Sequence, residues 1–141
     1  SFSFKVTATK SGQPTATKNV TIAVVNLDEV APVFTSPSST IYIAEGIDAN
    51  EEAYTAVATD TGDGTNGNIT YSLTNNAGGR FTIDSSTGVV TNVTPPASGS
   101  AWTAGTSQII TIRATDDAGN FADRNQTFFV RRTYQKSLWR R

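Results

Sequence analysis

Ile110-Thr111-Ile112-Arg113-Ala114-Thr115 repeats Phe4-Lys5-Val6-Thr7-Ala8-Thr9 at an offset of 106 residues, the distance from Ala8 to Ala114. In both copies apolar residues take every second position, with Thr or a charged residue between them. That is the period of a strand with one buried face. The alignment continues without a gap through Ala16 and Ala122, Asn19 and Asn125, Thr21 and Thr127, and Val24 and Val130. A strand, a turn and a second strand therefore recur one domain length apart. Working outward, Val20, Ile22 and Val24 alternate in the same way, as do Ile69, Tyr71 and Leu73. Turn signals punctuate these runs, among them Asn66-Gly67, Gly78-Gly79, Thr87-Gly88 and Ala118-Gly119-Asn120. Strands are predicted near 40–44, 53–59, 69–74, 80–84, 89–93, 107–115 and 125–131, and no segment carries a helical stripe. Seven short strands in about 100 residues predict an all-β, seven-stranded Greek-key β-sandwich.

The repeat sets the expected organisation. Residues 1–25 read as the C-terminal hairpin of a preceding copy, 26–32 as a linker, 33–130 as a complete sandwich and 131–141 as a basic tail. A lone two-stranded hairpin is marginal in water. Residues 1–25 therefore need a partner, either the rest of a longer parent or another chain to which the hairpin is donated.

Composition narrows the chemistry. The 141 residues contain no His and no Cys, which excludes a His-based triad, thiol nucleophiles, zinc–thiolate sites and disulfides. Oxygen-rich sites remain, and they suit hard cations. The net charge is −1, which argues against a general polyanion-binding surface. Five of the eleven basic residues lie in 131–141, so residues 1–130 hold six against twelve acidic residues, a net −6. No apolar run approaches the ~20 residues of a membrane helix. The absence of Met predicts that Ser1 is not a translation start.

The acidic residues cluster in turns. Asp28 and Glu29 lie in the linker, Asp60, Asp63 and Asn66 follow one predicted strand, and Asp116 follows another. A Greek-key sandwich can bring those strand ends to the pole where the chain enters. Carboxylates gathered there repel unless a cation neutralises them. Asp28, Glu29, Asp60, Asp63, Asn66 and Asp116 are thus candidate Ca2+ ligands. Asp and Asn also favour turns for their own local hydrogen bonds, and each residue taken singly fits that reading better, while the set at one pole favours the cation.

A family resemblance rests on five stretches. They are Asn26-Leu27-Asp28-Glu29-Val30-Ala31-Pro32-Val33-Phe34, Ile43-Ala44-Glu45-Gly46, the loop from Ala58-Thr59-Asp60 to Leu73, Phe81-Thr82-Ile83-Asp84-Ser85-Ser86-Thr87-Gly88-Val89-Val90-Thr91, and Ile112-Arg113-Ala114-Thr115-Asp116. In this order they resemble a cadherin repeat of the bacterial kind, over about three quarters of the chain. The resemblance implies a cadherin/immunoglobulin-like sandwich whose joint to its neighbour is stiffened by calcium. It implies a non-catalytic adhesion or structural role at the cell surface, in an adhesin or extracellular matrix protein. Neighbouring repeats, identical subunits, cell-surface proteins or polysaccharides would be partners, without nucleic acid. The loop departs from the family pattern. Gly62 stands where the family carries a second Asp, with Asp63 one place later, and Val30 replaces a linker Asn. At the other pole Val93-Thr94-Pro95-Pro96 replaces an acidic motif, so Glu45 is not expected to hold a cation there.

Three other classes compete with this one. An enzyme would use paired carboxylates such as Asp116 and Asp117 for acid–base work, but adjacent residues at one strand end usually point apart, and the chain has no His or Cys to assist them. A self-assembling filament subunit would use residues 1–25 to complete a neighbour. A carbohydrate-binding module would expose aromatics such as Tyr42, Tyr54 and Trp102 on one face. Four Asn-x-Thr triplets also occur, at Asn19, Asn68, Asn92 and Asn125, but with this much Thr and Ser about two or three arise by chance, so by themselves they barely favour glycosylation.

Overall fold

A computed structural model describes residues 1–25, 27–45, 47–61, 67–93 and 102–132. Among them the chain is all-β. The strands are β1 (Phe2–Ala8), β2 (Ala16–Ile22), β3 (Val33–Phe34), β4 (Ile41–Ala44), β5 (Glu52–Thr55), β6 (Ala58–Thr59), β7 (Thr70–Asn75), β8 (Phe81–Ile83), β9 (Val89–Asn92), β10 (Ser107–Thr115) and β11 (Phe121–Arg131). Strands β4-β11-β10-β7 form one sheet and β5-β9-β8 the facing one, with β3 paired to β6 and β1 to β2. All pairs are antiparallel except β4 with β11. Among the described residues no helix is long and apolar enough to cross a membrane.

Alternation decides which side chains enter the sandwich. Ile110, Ile112 and Ala114 of β10 and Phe128 and Val130 of β11 are fully buried. They meet Phe81 of β8 and Val90 of β9 from the facing sheet. Phe128 stacks on Phe81, with centroids 4.5 Å apart, and Trp102 meets Phe81 edge-on at 5.3 Å. The two sheets are thus joined by a continuous aromatic contact.

Local chemistry fixes the middle hairpin. Asp84 Oδ1 accepts from Ser86 N, Thr87 N and Thr87 Oγ1, closing the β8–β9 turn. Gly88 has φ of +72°, and a Cβ there would sit 2.3 Å from the carbonyl oxygen of Ala56. Only glycine permits both that backbone and that approach.

Three boundaries differ from the sequence expectation. The strand expected at 53–59 divides into β5, in the three-stranded sheet, and β6, which pairs with β3. The short β3 shows no period of its own, and Pro32 before it is fully buried. Strand β11 begins at Phe121 rather than 125, because its inward positions include Arg124 and Gln126, which break the apolar alternation. Both find partners inside for part of their polar atoms, while Arg124 Nε and Gln126 Oε1 are buried without one. Arg124 lies 4.5 Å over the Phe34 ring and donates to Ser36 and Tyr54 Oη. Gln126 Nε2 donates to Ser39 O at 2.7 Å. Arg131, the last residue of the expected strand and the first of the expected tail, closes β11 opposite Ala44. The rest of that tail, from 133 onward, lies outside the described residues.

The N-terminal hairpin matches β10–β11 in register as well as in sequence. Adding 106 to both members of the pair Phe2 and Ile22 gives Gln108 and Phe128, which are themselves paired. The burial is opposite. Phe4 is 50% exposed and Ile22 51%, while Ile110 and Phe128, their counterparts 106 positions on, are both 0% exposed.

Candidate metal centre

Strand pairing assembles one pole of the sandwich. Asp60 follows β6, Asp116 follows β10, and Asp28 precedes β3. Because β3 pairs with β6, Val33 opposite Thr59, the linker is drawn alongside the strand that delivers Asp60. One carboxylate oxygen from each of Asp28, Asp60 and Asp116 lies within 4.8 Å of the other two. Asp60 and Asp116 are buried and Asp28 half-buried.

Asn120 holds this arrangement. Its Nδ2 donates to Asp28 O and to Asp116 Oδ2, both at 3.0 Å, and its backbone N donates to Asp116 Oδ1 at 2.8 Å. Asp116 N in turn donates to Asn120 O. Asp28 Oδ1 accepts from Val30 N at 3.0 Å. Asp117 turns away from the three and accepts from Asn68 N at 3.0 Å, fixing the start of the segment that leads into β7.

Of the six candidate ligands, the structure brings Asp28, Asp60 and Asp116 together. Glu29 is exposed and stands outside the group. Asp63 and Asn66 lie outside the described residues. Sequence reading passed over Asn120, because an Asn ending an Ala-Gly-Asn turn reads as a turn former. Its distance of four residues from Asp116 was the available signal.

The donor set fits a hard cation. Oxygens sharing one calcium at 2.3–2.6 Å lie at most about 5 Å apart, which is the spread these carboxylates show. Three side chains fall short of the six to eight oxygens calcium takes, so carbonyls, water or further side chains must supply the rest. Burial pushes the Asp116 carboxyl up. The hydrogen bonds from the Asn120 side chain and backbone, then from Gly119 and Ala118 N, outweigh it and leave the group below its ordinary value of 3.8.

Two carboxyls away from this pole are also depressed. Asp84 is lowered first by the Thr87 backbone and side chain, and Asp123 first by the Arg113 guanidinium, 2.8 Å away. Their unfolded counterparts bind protons at higher pH. Their stabilisation is therefore complete above the ordinary value of 3.8 and is lost as pH falls through the depressed folded values. Melting temperature in EDTA should be flat above about pH 5 and drop steeply below about pH 4. Asp84→Asn should shallow that acid limb. An unchanged limb would show that the turn does not depend on the carboxylate.

The aromatics considered as a sugar platform do not share a face. Trp102 and Tyr54 are buried in the core, and Tyr42 is exposed beneath the Arg131 guanidinium, 3.4 Å from its ring centroid.

Known proteins share this architecture. The chain superposes on Drosophila N-cadherin EC1-3 with a TM-score of 0.67 and 22% identity, over 82% of this chain and 38% of that one. Mouse Protocadherin Fat 2 is 34% identical over 116 residues, 79% of this chain and 2% of that protein. The sandwich is a cadherin-like domain. A third similarity is to the Caenorhabditis elegans cadherin EGF LAG seven-pass G-type receptor fmi-1, 43% identical over 89 residues, 61% of this chain and 3% of that protein. No protein-family model matches. The chain thus spans only 2% and 3% of these two relatives. All three proteins come from animals, so they lend no support to the bacterial origin that the resemblance implied.

Proposed function

We propose that this cadherin-like chain is a non-catalytic piece of an extracellular adhesion or structural array, with a calcium ion fixing the joint between consecutive repeats. The supporting observation is the convergence of a linker carboxylate, Asp28, with two carboxylates at strand ends of the sandwich, Asp60 and Asp116. A short linker leaves two repeats free to swing. Residues from linker and sandwich that share one site remove that freedom. Asp28, Asp60 and Asp116 would hold the ion, which supplies positive charge that links three mutually repelling carboxylates. Asn120 orients the Asp116 carboxylate and tethers the Asp28 backbone beforehand.

The hairpin β1–β2 is read as the last hairpin of the repeat before the joint. Its register duplicates β10–β11, and its apolar face is exposed where the counterpart is core. The remaining strands of that preceding repeat would cover Phe4, Val6 and Ile22. Neighbouring repeats are therefore the first partners expected, and the polypeptide would serve to extend and present them at the cell surface.

A thermal melt of the chain in millimolar calcium, in EDTA and in magnesium tests this. Binding to the native state at one hundred times Kd stabilises it by about 2.7 kcal/mol. For a domain of this size that raises Tm by roughly ten degrees or more. The rise is expected with calcium, not with magnesium, and is lost in Asp60→Ala/Asp116→Ala. No shift with calcium would overturn the joint reading. It would leave a metal-free spacer, and concentration-dependent polymerisation would then favour the filament subunit with a donated hairpin.

A further inference from the structure

The Asn-x-Thr triplets are not used by the joint, and the fold sorts them. Asn92 is fully buried, with Nδ2 donating to Asp48 O at 2.6 Å, so a bulky group on that nitrogen is incompatible with the folded chain. Asn68 is exposed beside the acidic pole. Asn19 and Asn125 are different. They are exposed, lie mid-strand in β2 and β11, and occupy the same position of the two register-matched hairpins.

The outward faces of these hairpins have otherwise diverged. Within the strands, Ser3, Lys5, Thr7 and Thr17 are each replaced by a different residue 106 positions on. The outward positions that stay identical are Thr9 with Thr115, at the strand end, and Asn19 with Asn125 and Thr21 with Thr127, the last two pairs being the specified residues of the triplet. In a strand, positions i and i+2 share a face, so each Asn and its Thr project together. Around Asn125 that face is polar. Thr111 Oγ1 bonds Asn125 Oδ1 at 2.8 Å, and the Arg113–Asp123 pair lies farther along the same face. The bond to Thr111 uses Oδ1 and not Nδ2, and the residue is exposed.

From this we propose that Asn19 and Asn125 are N-glycosylation sites, one at the same position of each hairpin. The donor class is an oligosaccharide carried on a polyprenyl diphosphate. The Asn Nδ2 attacks its anomeric carbon, an N–C bond forms, and the C–O bond to the diphosphate breaks. Nδ2 gives up one proton and polyprenyl diphosphate leaves. The product projects from the polar face, opposite the face that packs in the sandwich. One glycan would then recur on the same outer face of successive repeats. The proposal is independent of the cation, because neither Asn belongs to the carboxylate group at the pole.

The test uses the full chain carrying Asn68→Gln, secreted behind a leader from a eukaryotic host. Treatment with peptide N-glycosidase in oxygen-18 water leaves a labelled Asp at every former glycan site, which peptide mapping reads. Label at positions 19 and 125, and none at 92, is expected. Adding Asn19→Gln and Asn125→Gln should remove all glycan mass while leaving the melting temperature of the deglycosylated chain in place. An unlabelled Asn19 or Asn125 overturns the proposal. Label at Asn92 in folded secreted protein overturns the sorting by burial on which it stands.

Discussion

Phe128→Ala should lower unfolding free energy by about 3–5 kcal/mol. The ring is 0% exposed, sits on β11 in the four-stranded sheet, and stacks 4.5 Å from Phe81 of the facing sheet. Phe81 carries Trp102 on its other contact, so removing Phe128 opens a cavity under two further aromatics. Two losses combine: the transfer energy of the ring and the contacts its neighbours no longer make. Domains of this kind have about 5–15 kcal/mol in total, so the variant would lose a large fraction of its stability. Urea unfolding reads the effect as a lower midpoint at unchanged slope. Tyr42→Ala is the control. That ring is 55% exposed on the outer face, and its loss should cost far less. A Phe128→Ala cost below about 1 kcal/mol would mean that the sheets do not close on this ring.

That core was legible because alternation is a local property of the chain. Ile110, Ile112 and Ala114 announce a buried face by spacing alone, and the repeat with Phe4, Val6 and Ala8 gave the domain length. Where inward positions are polar, the signal fails. Arg124 and Gln126 point into the sandwich and are paid for by bonds to Ser36, Tyr54 and Ser39, which are 70 to 88 residues away in sequence. No local pattern reveals such partners. Strand β3 is too short to show a period, and its pairing with β6 is set by tertiary contact. The acidic pole divides in the same way. Asp60 and Asp116 sit where strands end, and counting strands predicted their pole. Asp28 and Glu29 are adjacent in a linker, and sequence alone does not say which one turns inward. The choice of Asp28 follows from Asn120 gripping its carbonyl across 92 residues.

Asn120 therefore carries the second large effect. Asn120→Ala should weaken calcium binding by roughly 10–100-fold, the usual cost of losing a residue that orients metal ligands from behind. The amide makes two bonds at once, to Asp28 O and Asp116 Oδ2. Alanine keeps the backbone bond from residue 120 to Asp116 Oδ1, so Asp116 retains one of its restraints. Asp28 loses this tie to the sandwich turn, and the linker must then be ordered by the binding event itself. That ordering is subtracted from affinity. Stability without metal should fall by about 2 kcal/mol, because each of the two part-buried hydrogen bonds contributes about 1 kcal/mol net. The two readouts separate the roles: calorimetric titration with calcium reports the affinity, and a melt in EDTA reports the fold. A tenfold or greater affinity loss of the folded chain identifies Asn120 as a positioning residue for the joint, whatever it also contributes to the EDTA melt. A lower EDTA melt with less than a tenfold loss of affinity would make it a structural turn residue. An unchanged affinity would show that Pro32, buried four positions after Asp28, suffices to hold the linker in place.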